Sequence, residues 1–263
     1  MVESKALNER QSSQLSNDLS CRIQTNQKFG NSDLKSWILD KLNLKKGERL
    51  LDVGCGTGVY TIQFAKVTQQ EWSCAGVDLS VESIKTAEKA SRDLNLKIKF
   101  INNNMDEFNA SQDPERYDTI TSMYALYYSK NPALVLKNLS GMLKATGRIA
   151  ILGPYMDNNK EWFDFLNQFM ALPKNVIQSS SDFMHDVVLP FAWEQFSDTH
   201  CFRFVNRIRV PSLEDLKKYW ESNTYYEAKY NEAFMKYAAV HFKNNPHFEF
   251  SKTALLILMN NRR

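Results

Sequence analysis

Leu50-Leu51-Asp52-Val53-Gly54-Cys55-Gly56-Thr57-Gly58 carries an apolar run straight into three glycines set two residues apart. The run predicts a short buried strand over Arg49–Val53, and the next periodic stretch predicts a helix from Val59 to Val67. A glycine turn between strand and helix is the setting of a nucleotide-binding loop, because glycine takes special dihedrals and carries no Cβ to block a ligand. A dinucleotide turn needs Gly-x-Gly-x-x-Gly, with the pyrophosphate resting on the helix N-terminus. Val59 stands where its third glycine would be. Asp52, beside the turn, is poorly placed for a pyrophosphate and well placed to attract an ammonium or sulfonium group. A second acid, Asp78, follows Gly54 by 24 residues at the end of the next apolar run, where a carboxylate accepts hydrogen bonds from a ribose diol. Alone, Gly-x-Gly-x-Gly is only a tight turn. The ordered series of strand, acid, glycines, helix, strand and acid favours a ligand site.

Outward from the turn, strand and helix signals alternate. Trp72–Val77, Lys97–Ile101, Tyr117–Met123 and Arg148–Leu152 read as strands. Val81–Leu94, capped by Ser80, and Pro132–Leu143 read as helices. Upstream, Leu34, Trp37, Ile38, Leu42 and Leu44 recur near helical spacing before Gly47. Alternation of this kind means βαβ units on a parallel sheet, an α/β fold. After Gly153-Pro154 the rhythm changes to an aromatic-rich stretch with no strand signal until Cys201–Val210, where Phe202, Phe204, Ile208 and Val210 alternate with arginines. Ser212-Leu213-Glu214-Asp215 resembles a capping box. A Tyr-rich helix is expected over 225–242, and Phe248–Met259 reads as a long final strand. The expected organisation is a polar segment over 1–30 and one domain over 31–263, with 154–200 as an insertion and substrate cap.

Of the 263 residues, 43% are hydrophobic and 24% charged, with 33 Lys+Arg against 30 Asp+Glu. A chain of this length buries roughly 75% of its extended surface and needs no metal or disulfide staple. The composition excludes a collagen, a coiled coil and a wholly disordered chain. A net charge of +3 argues for neither nucleic acid nor an anionic membrane. Cys21, Cys55, Cys74 and Cys201 lack paired spacing, so no metal site is expected. The polar N-terminus lacks the apolar core of a signal peptide, and Ala254–Met259 is far short of the ~20 residues that span a bilayer. A cytoplasmic protein is expected.

Leu-Leu-Asp-Val-Gly-Cys-Gly-Thr-Gly at 50–58 resembles the first motif of class I S-adenosylmethionine-dependent methyltransferases, of the small-molecule type similar to ubiquinone-biosynthesis methyltransferases. Gly-Val-Asp-Leu-Ser at 76–80 resembles the second, and Ile-Asn-Asn-Asn-Met-Asp-Glu-Phe at 101–108 stands at the third. Residues 116–126 and 143–154 look like the fourth strand and the approach to the fifth. The resemblance covers about residues 45–153 and is only topological beyond. It implies a doubly wound, Rossmann-like, mostly parallel seven-stranded sheet with an antiparallel last strand, plus the aromatic-rich helical insertion. It also implies S-adenosyl-L-methionine as cofactor. Gly54, Cys55, Gly56, Thr57 and Gly58 would line its methionine and ribose, with Asp52 near the amino group. Asp78 would hold the ribose hydroxyls, and Leu79 would pack on the adenine. Asn104, Met105 and Asp106 would surround the adenine edge, and Met123 and Tyr124 would face the methyl group. Members commonly carry an acid where Asn104 stands; its amide can still accept from or donate to an adenine, and a slip of the alignment to Asp106 is the alternative.

Methyl transfer from a sulfonium is an in-line displacement lowered by positioning and desolvation, so no metal is required, and a base only when the acceptor must lose a proton. Ser122-Met123-Tyr124-Ala125 is unlike the Asn-Pro-Pro-Tyr of amino-methylating enzymes. Cys55 and Cys74 suit packing. His185, His200, His241 and His247 have no recognisable partner, so no catalytic residue is assigned. Tyr127 and Tyr128 line a pocket or belong to the core. Tyr226, Tyr230, Phe234 and Tyr237 form either a packed stripe or a lid over an apolar acceptor. The leading expectation is methyl transfer to O, N or C of a small molecule. The alternatives are a binding or regulatory protein on the same fold, an enzyme acting on protein or tRNA, and a nicotinamide oxidoreductase, the last disfavoured by Val59 and Asp52.

Overall fold

All four residues of β1 (Leu50–Val53) are buried, as an apolar run flanked on both sides by strands must be. In the computed structural model, which describes residues 18–19, 21–111, 113 and 116–263, β1 lies between β2 (Cys74–Asp78) and β4 (Tyr117–Met123). Both neighbours are parallel to it, with Leu50 opposite Cys74 on one side and Thr119 on the other. β3 (Lys99–Asn102) extends the sheet beyond β2, and β5 (Leu143–Pro154) extends it beyond β4, again in parallel. β7 (Phe248–Arg262) pairs antiparallel with β5, from Ile149 opposite Met259 to Pro154 opposite Ala254. With β6 (Phe196–Val210) at the edge, the order is β3-β2-β1-β4-β5-β7-β6. The expected α/β fold, with seven mostly parallel strands and an antiparallel last strand, is borne out. The chain builds β1, β2 and β3 outward in one direction and then crosses to β4, so strand order reverses between β1 and β4. Ligands of open α/β sheets bind outside the carboxyl ends of the strands at such a reversal.

Helices fall where the caps predict. α1 (Leu34–Leu42) precedes β1, α2 (Val59–Thr68) follows the glycine turn, and α3 (Val81–Asp93) starts at Ser80, whose hydroxyl accepts the Ser83 N–H. α4 (Pro132–Gly141) is capped by Asn131. β1, β2 and β3 begin one or two residues later than the sequence expectation, and two further strands begin five residues earlier. β5 begins at Leu143 rather than Arg148, because Leu143 pairs with Tyr117 before Lys144–Gly147 loop out and Arg148 pairs with Thr119. A Cβ at Gly147 would lie 2.8 Å from the Tyr117 carbonyl, which hides this bulge from a pattern of side chains. β6 begins at Phe196 rather than Cys201, with Ser197 and Asp198 hydrogen-bonded to Asn261 and Asn260 of β7.

The chain divides into two compact units. The first comprises 35–156, 179–204 and 254–263. Its core joins Leu51, Val53, Ile120, Ile149, Ile151 and Ile257 of the strands to Val135, Leu136 and Leu139 of α4 and to Leu189 and Ala192 of α7 (Leu189–Gln195); α5 (Lys160–Leu166) and α6 (Lys174–Ser181) precede it in the chain. The second unit draws on three stretches, ending at Leu34 and spanning Asp157–Gln178 and Val205–Thr253. Its core is aromatic. Trp162 of α5 is fully buried, with ring centroids 5.2 Å from Tyr219, 5.9 Å from Phe248 and 6.4 Å from Phe234. Tyr219 belongs to α8 (Leu213–Glu221), which Ser212 caps by accepting the Asp215 N–H, as its sequence predicts. The Tyr-rich helix is shorter than expected. α9 spans Asn231–Asn244, because the Asn231 side chain ties Trp220 to the Tyr226 hydroxyl and leaves 225–227 outside the helix.

Candidate functional site

Three positive φ values shape the turn after β1: +74° at Gly54, +54° at Gly56 and +78° at Gly58. Their surroundings divide them into two kinds. A Cβ at Gly54 would fall 2.2 Å from the Ala125 Cβ, and one at Gly58 would fall 2.9 Å from the Ala87 Cβ. A Cβ at Gly56 would meet nothing within 4 Å. Two glycines are therefore demanded by packing inside the protein, and the middle one presents bare backbone to open space. The turn is fixed from below, where the N–H groups of Gly54 and Cys55 both donate to the Val77 carbonyl at 2.8 and 3.0 Å. Cys55 is buried and burial pushes its thiol up, in keeping with a packing role; Thr57 is exposed. Cys74 is buried likewise, and its thiol is also raised.

Asp78, at the carboxyl end of β2, meets the open glycine. Its Oδ2 accepts the Gly56 N–H and its Oδ1 the Ser80 N–H, both at 2.8 Å. A carboxylate has about four acceptor positions, so two remain for a ligand. Leu79 beside it is 68% exposed, and the Asn102 amide holds the loop by donating to the carbonyls of Asp78 and Leu79. Asp52 is placed differently. It is 1% exposed, and its two oxygens accept the hydroxyls of Thr61 (2.6 Å) and Thr121 (2.8 Å). Burial raises its pKa from 3.8 to about 6 against the pull of those two hydrogen bonds, with Asp78 adding a further push upward. Any attraction it exerts on a cation at the turn acts through space.

Past β3, the Asn104 side chain accepts the Asp106 N–H at 3.1 Å, and its carbonyl accepts the N–H groups of Glu107 and Phe108. Met105 Cε lies 3.5 Å from the Cβ position of Gly54, against the turn. The Asp106 carboxylate is taken up by the Ser129 hydroxyl (2.5 Å) and the N–H groups of Lys130 and Asn131, and the Ser129 bond foremost holds its pKa below the usual range. At the end of β4, Met123 is buried and Tyr124 takes the left-handed conformation, φ +56°, with its N–H on the Leu152 carbonyl at 2.8 Å. Burial, helped by Tyr60, pushes its hydroxyl up. The buried Ser122 hydroxyl beside it has no partner among the described residues. Tyr127 packs on Phe183 at 5.9 Å, whereas Tyr128 is 74% exposed.

The sequence-predicted residues thus converge on the carboxyl ends of β1 to β4. The four histidines do not join them. His185, His200 and His247 face Asp186, Asp198 and Glu249, and His241 faces the His247 carbonyl. Among the described residues no cluster suits a metal ion, and no helix is long and apolar enough to cross a membrane. Sequence reasoning missed Thr61, Thr121 and Ala125. Thr121 is paired with Asp52 across the β1/β4 ladder, a contact that no local pattern announces.

The methyltransferase domain family matches residues 44–229, well over half of the chain. The chain belongs to this methyltransferase family. The resemblance to class I S-adenosylmethionine-dependent methyltransferases is thereby borne out at the level of family and fold. The ubiquinone biosynthesis O-methyltransferase of Aeromonas salmonicida is 30% identical over 115 residues, 44% of this chain and 47% of that protein. The enzyme of the same name from Proteus mirabilis is 26% identical over 49% of this chain and 50% of its own. The match thus spans about half the length of these curated relatives. Among solved structures, the YcgJ protein of Bacillus subtilis superposes with a TM-score of 0.61 at 18% identity, over 87% of this chain and 98% of its own. The plantazolicin methyltransferase BpumL gives 0.52 at 17%, over 97% and 91%. Both show that the methyltransferase shares their fold.

Proposed function

We propose that the chain transfers a methyl group from S-adenosylmethionine to an oxygen of a small-molecule acceptor. The carrying observation is the open face of Gly56, bare backbone at positive φ beside a carboxylate with acceptor positions to spare. That arrangement fits a ribose laid against the turn, its hydroxyls donating to Asp78. On this reading Gly54, Cys55, Gly56, Thr57 and Gly58 supply the backbone cradle, and Asp52 supplies negative charge from behind it. Leu79 covers one adenine face, while Asn104, Met105 and Asp106 border its edge. Met123 and Tyr124 wall the side from which the methyl leaves. The donor supplies an activated methyl: its S–C bond breaks as the O–C bond forms, the bonding pair stays on sulfur, and the acceptor's proton goes to a base or to water. The chain's part is to align acceptor and sulfur and to exclude water, which suffices for an in-line displacement.

Family membership supports the reaction class, and the O-methyltransferase names of the relatives support oxygen as the acceptor atom. BpumL, solved with the demethylated donor bound, supports the choice of cofactor. The acceptor-binding residues are assigned to 154–242. Titration calorimetry with S-adenosylhomocysteine tests the reading. Saturable heat with the wild type and at least tenfold weaker binding by Asp78→Ala are expected; no heat with the wild type, or undiminished binding by the variant, overturns it.

A further inference from the structure

The Asp106 carboxylate is engaged by three donors from a separate stretch of the chain. Its Oδ1 accepts the Ser129 hydroxyl at 2.5 Å and the N–H groups of Lys130 and Asn131 at 3.1 and 3.2 Å. Its Oδ2 shares the Lys130 N–H at 3.2 Å. Hydrogen bonds to an ionised acceptor are the strong ones. The chain of contacts runs on into a helix. The Ser129 oxygen accepts the Asn131 N–H at 3.0 Å, and the Asn131 side chain accepts the Leu134 N–H at 3.2 Å, inside the first turn of α4. That turn carries no acid of its own, and Asp106 stands in for one at the positive end of the helix.

Both of the segments joined in this way press on the glycine turn. A Cβ at Gly54 would lie 2.2 Å from the Ala125 Cβ and 3.5 Å from Met105 Cε. The stretch after β3 closes on itself, because Asn104 accepts the N–H groups of Asp106, Glu107 and Phe108, and Phe108 is fully buried. The stretch after β4 starts under strain. Tyr124 sits at φ +56°, and a bulky residue there persists only where its surroundings fix it. Its N–H is held by the Leu152 carbonyl, a 3-10 turn follows over Leu126–Tyr128, and the stretch then arrives at Ser129 and Lys130. Asp106 holds that far end. We propose that Asp106 is a positioning residue whose carboxylate clamps the stretch after β4, keeping Ala125 seated on Gly54 and Tyr124 at the methyl side, and makes no contact with the adenine amine. The ligand served is that of the methyl-transfer reading, on which this inference rests.

Calorimetry on the full chain with two probes tests it: S-adenosylhomocysteine, and 5′-methylthioadenosine, which keeps the nucleoside and the sulfur but lacks the amino-acid end. Unseating Gly54 disturbs the cradle under that end. Asp106→Ala should therefore weaken S-adenosylhomocysteine at least tenfold, as loss of a charged hydrogen bond does, and 5′-methylthioadenosine less than twofold. Ser129→Ala should move the ratio of the two affinities in the same direction, and Ser129→Thr, which keeps the hydroxyl, should leave it at the wild-type value. The double variant should do no more than Asp106→Ala alone, because both remove one contact. Hydrogen exchange at the Lys130 and Asn131 amides should quicken in Asp106→Ala. If Asp106→Ala does not fold, the two Ser129 variants carry the test. Equal weakening of both probes by Asp106→Ala with no effect of Ser129→Ala, the mark of an adenine contact, overturns the proposal. So does a lower melting temperature with the ratio unchanged, the mark of a helix cap and nothing more. A wild type that binds neither probe defeats the methyl-transfer reading and this inference with it; a wild type that binds both, its ratio untouched by the variants, defeats this inference alone.

Discussion

Around the glycine turn the decisive atoms are absent ones, whereas around Trp162 they are crowded rings. The turn holds its form because three residues lack a Cβ and because Val77 and Asp78 collect its N–H groups. The aromatic unit holds its form because Tyr219, Trp220, Phe234, Phe248 and Phe250 pack edge to face and tilted around Trp162, each ring centroid within 6.5 Å of its own. The first is a device of backbone geometry, where a methyl group alters binding. The second is a device of volume, where losing a ring alters stability. Substitutions chosen from each region can therefore be sorted by which measurement they move.

The largest effect is expected from Trp162→Ala, which empties the aromatic core and deprives the Tyr225 hydroxyl of its donor. Urea unfolding should show a loss of about 4 kcal/mol, while S-adenosylhomocysteine affinity stays within twofold. A comparable loss of affinity would break the distinction. Next comes Asp52. With its folded pKa raised from 3.8 to about 6, the folded chain keeps a proton that the unfolded chain has released between those values. Stability attributable to this group therefore falls as pH rises from about 4 to about 6, by about 3 kcal/mol in all, and is level above. Asp52→Asn should flatten that slope in urea melts across the window; an unchanged slope would show that the carboxyl is not enclosed.

Within the turn, the two glycines separate packing from ligand binding. Gly54→Ala brings a Cβ to 2.2 Å from Ala125 at positive φ and should cost about 2–3 kcal/mol along with cofactor binding. Gly56→Ala meets no atom and should cost about 1 kcal/mol, yet weaken S-adenosylhomocysteine at least tenfold in calorimetry because the methyl occupies the ligand's side. Equal effects on stability from the two would show that their surroundings do not differ as described. The smallest change is Ser80→Ala, which removes the α3 cap for about 1 kcal/mol of thermal stability and spares the Ser80 N–H that Asp78 receives.

Much of the turn and its sheet could be read from residues close in the chain. The strand at 50–53, the cap at Ser80 and the strand at 117–123 stand where local signals put them, because each is an apolar run ended by a turn or a capping residue. What escaped is non-local. Thr121 reaches Asp52 across the β1/β4 ladder, Ala125 fills the space above Gly54, and the β5 bulge is set by the Tyr117 carbonyl. The aromatic unit was legible in composition only. Tyr226, Tyr230 and Tyr237 recur at helical spacing, yet they lie half-buried against a core assembled from α5, α8, α9 and two strands, a convergence that no single window contains. Asp106 illustrates the same limit at the candidate site, since Ser129, Lys130 and Asn131, which claim its carboxylate, come from the segment after β4.

Gly54 and Ala125 occupy a single allotment of space, and the glycine has nothing left to give up. Any drift of the chain toward serine, valine or proline at 125 must push the first loop of the fold off its seat, however far apart the two lie in the gene. Attempts to reshape catalysis by mutagenesis should therefore hold 125 to alanine or glycine and seek diversity from residue 127 onward, where Tyr127 packs on Phe183 and Tyr128 is exposed.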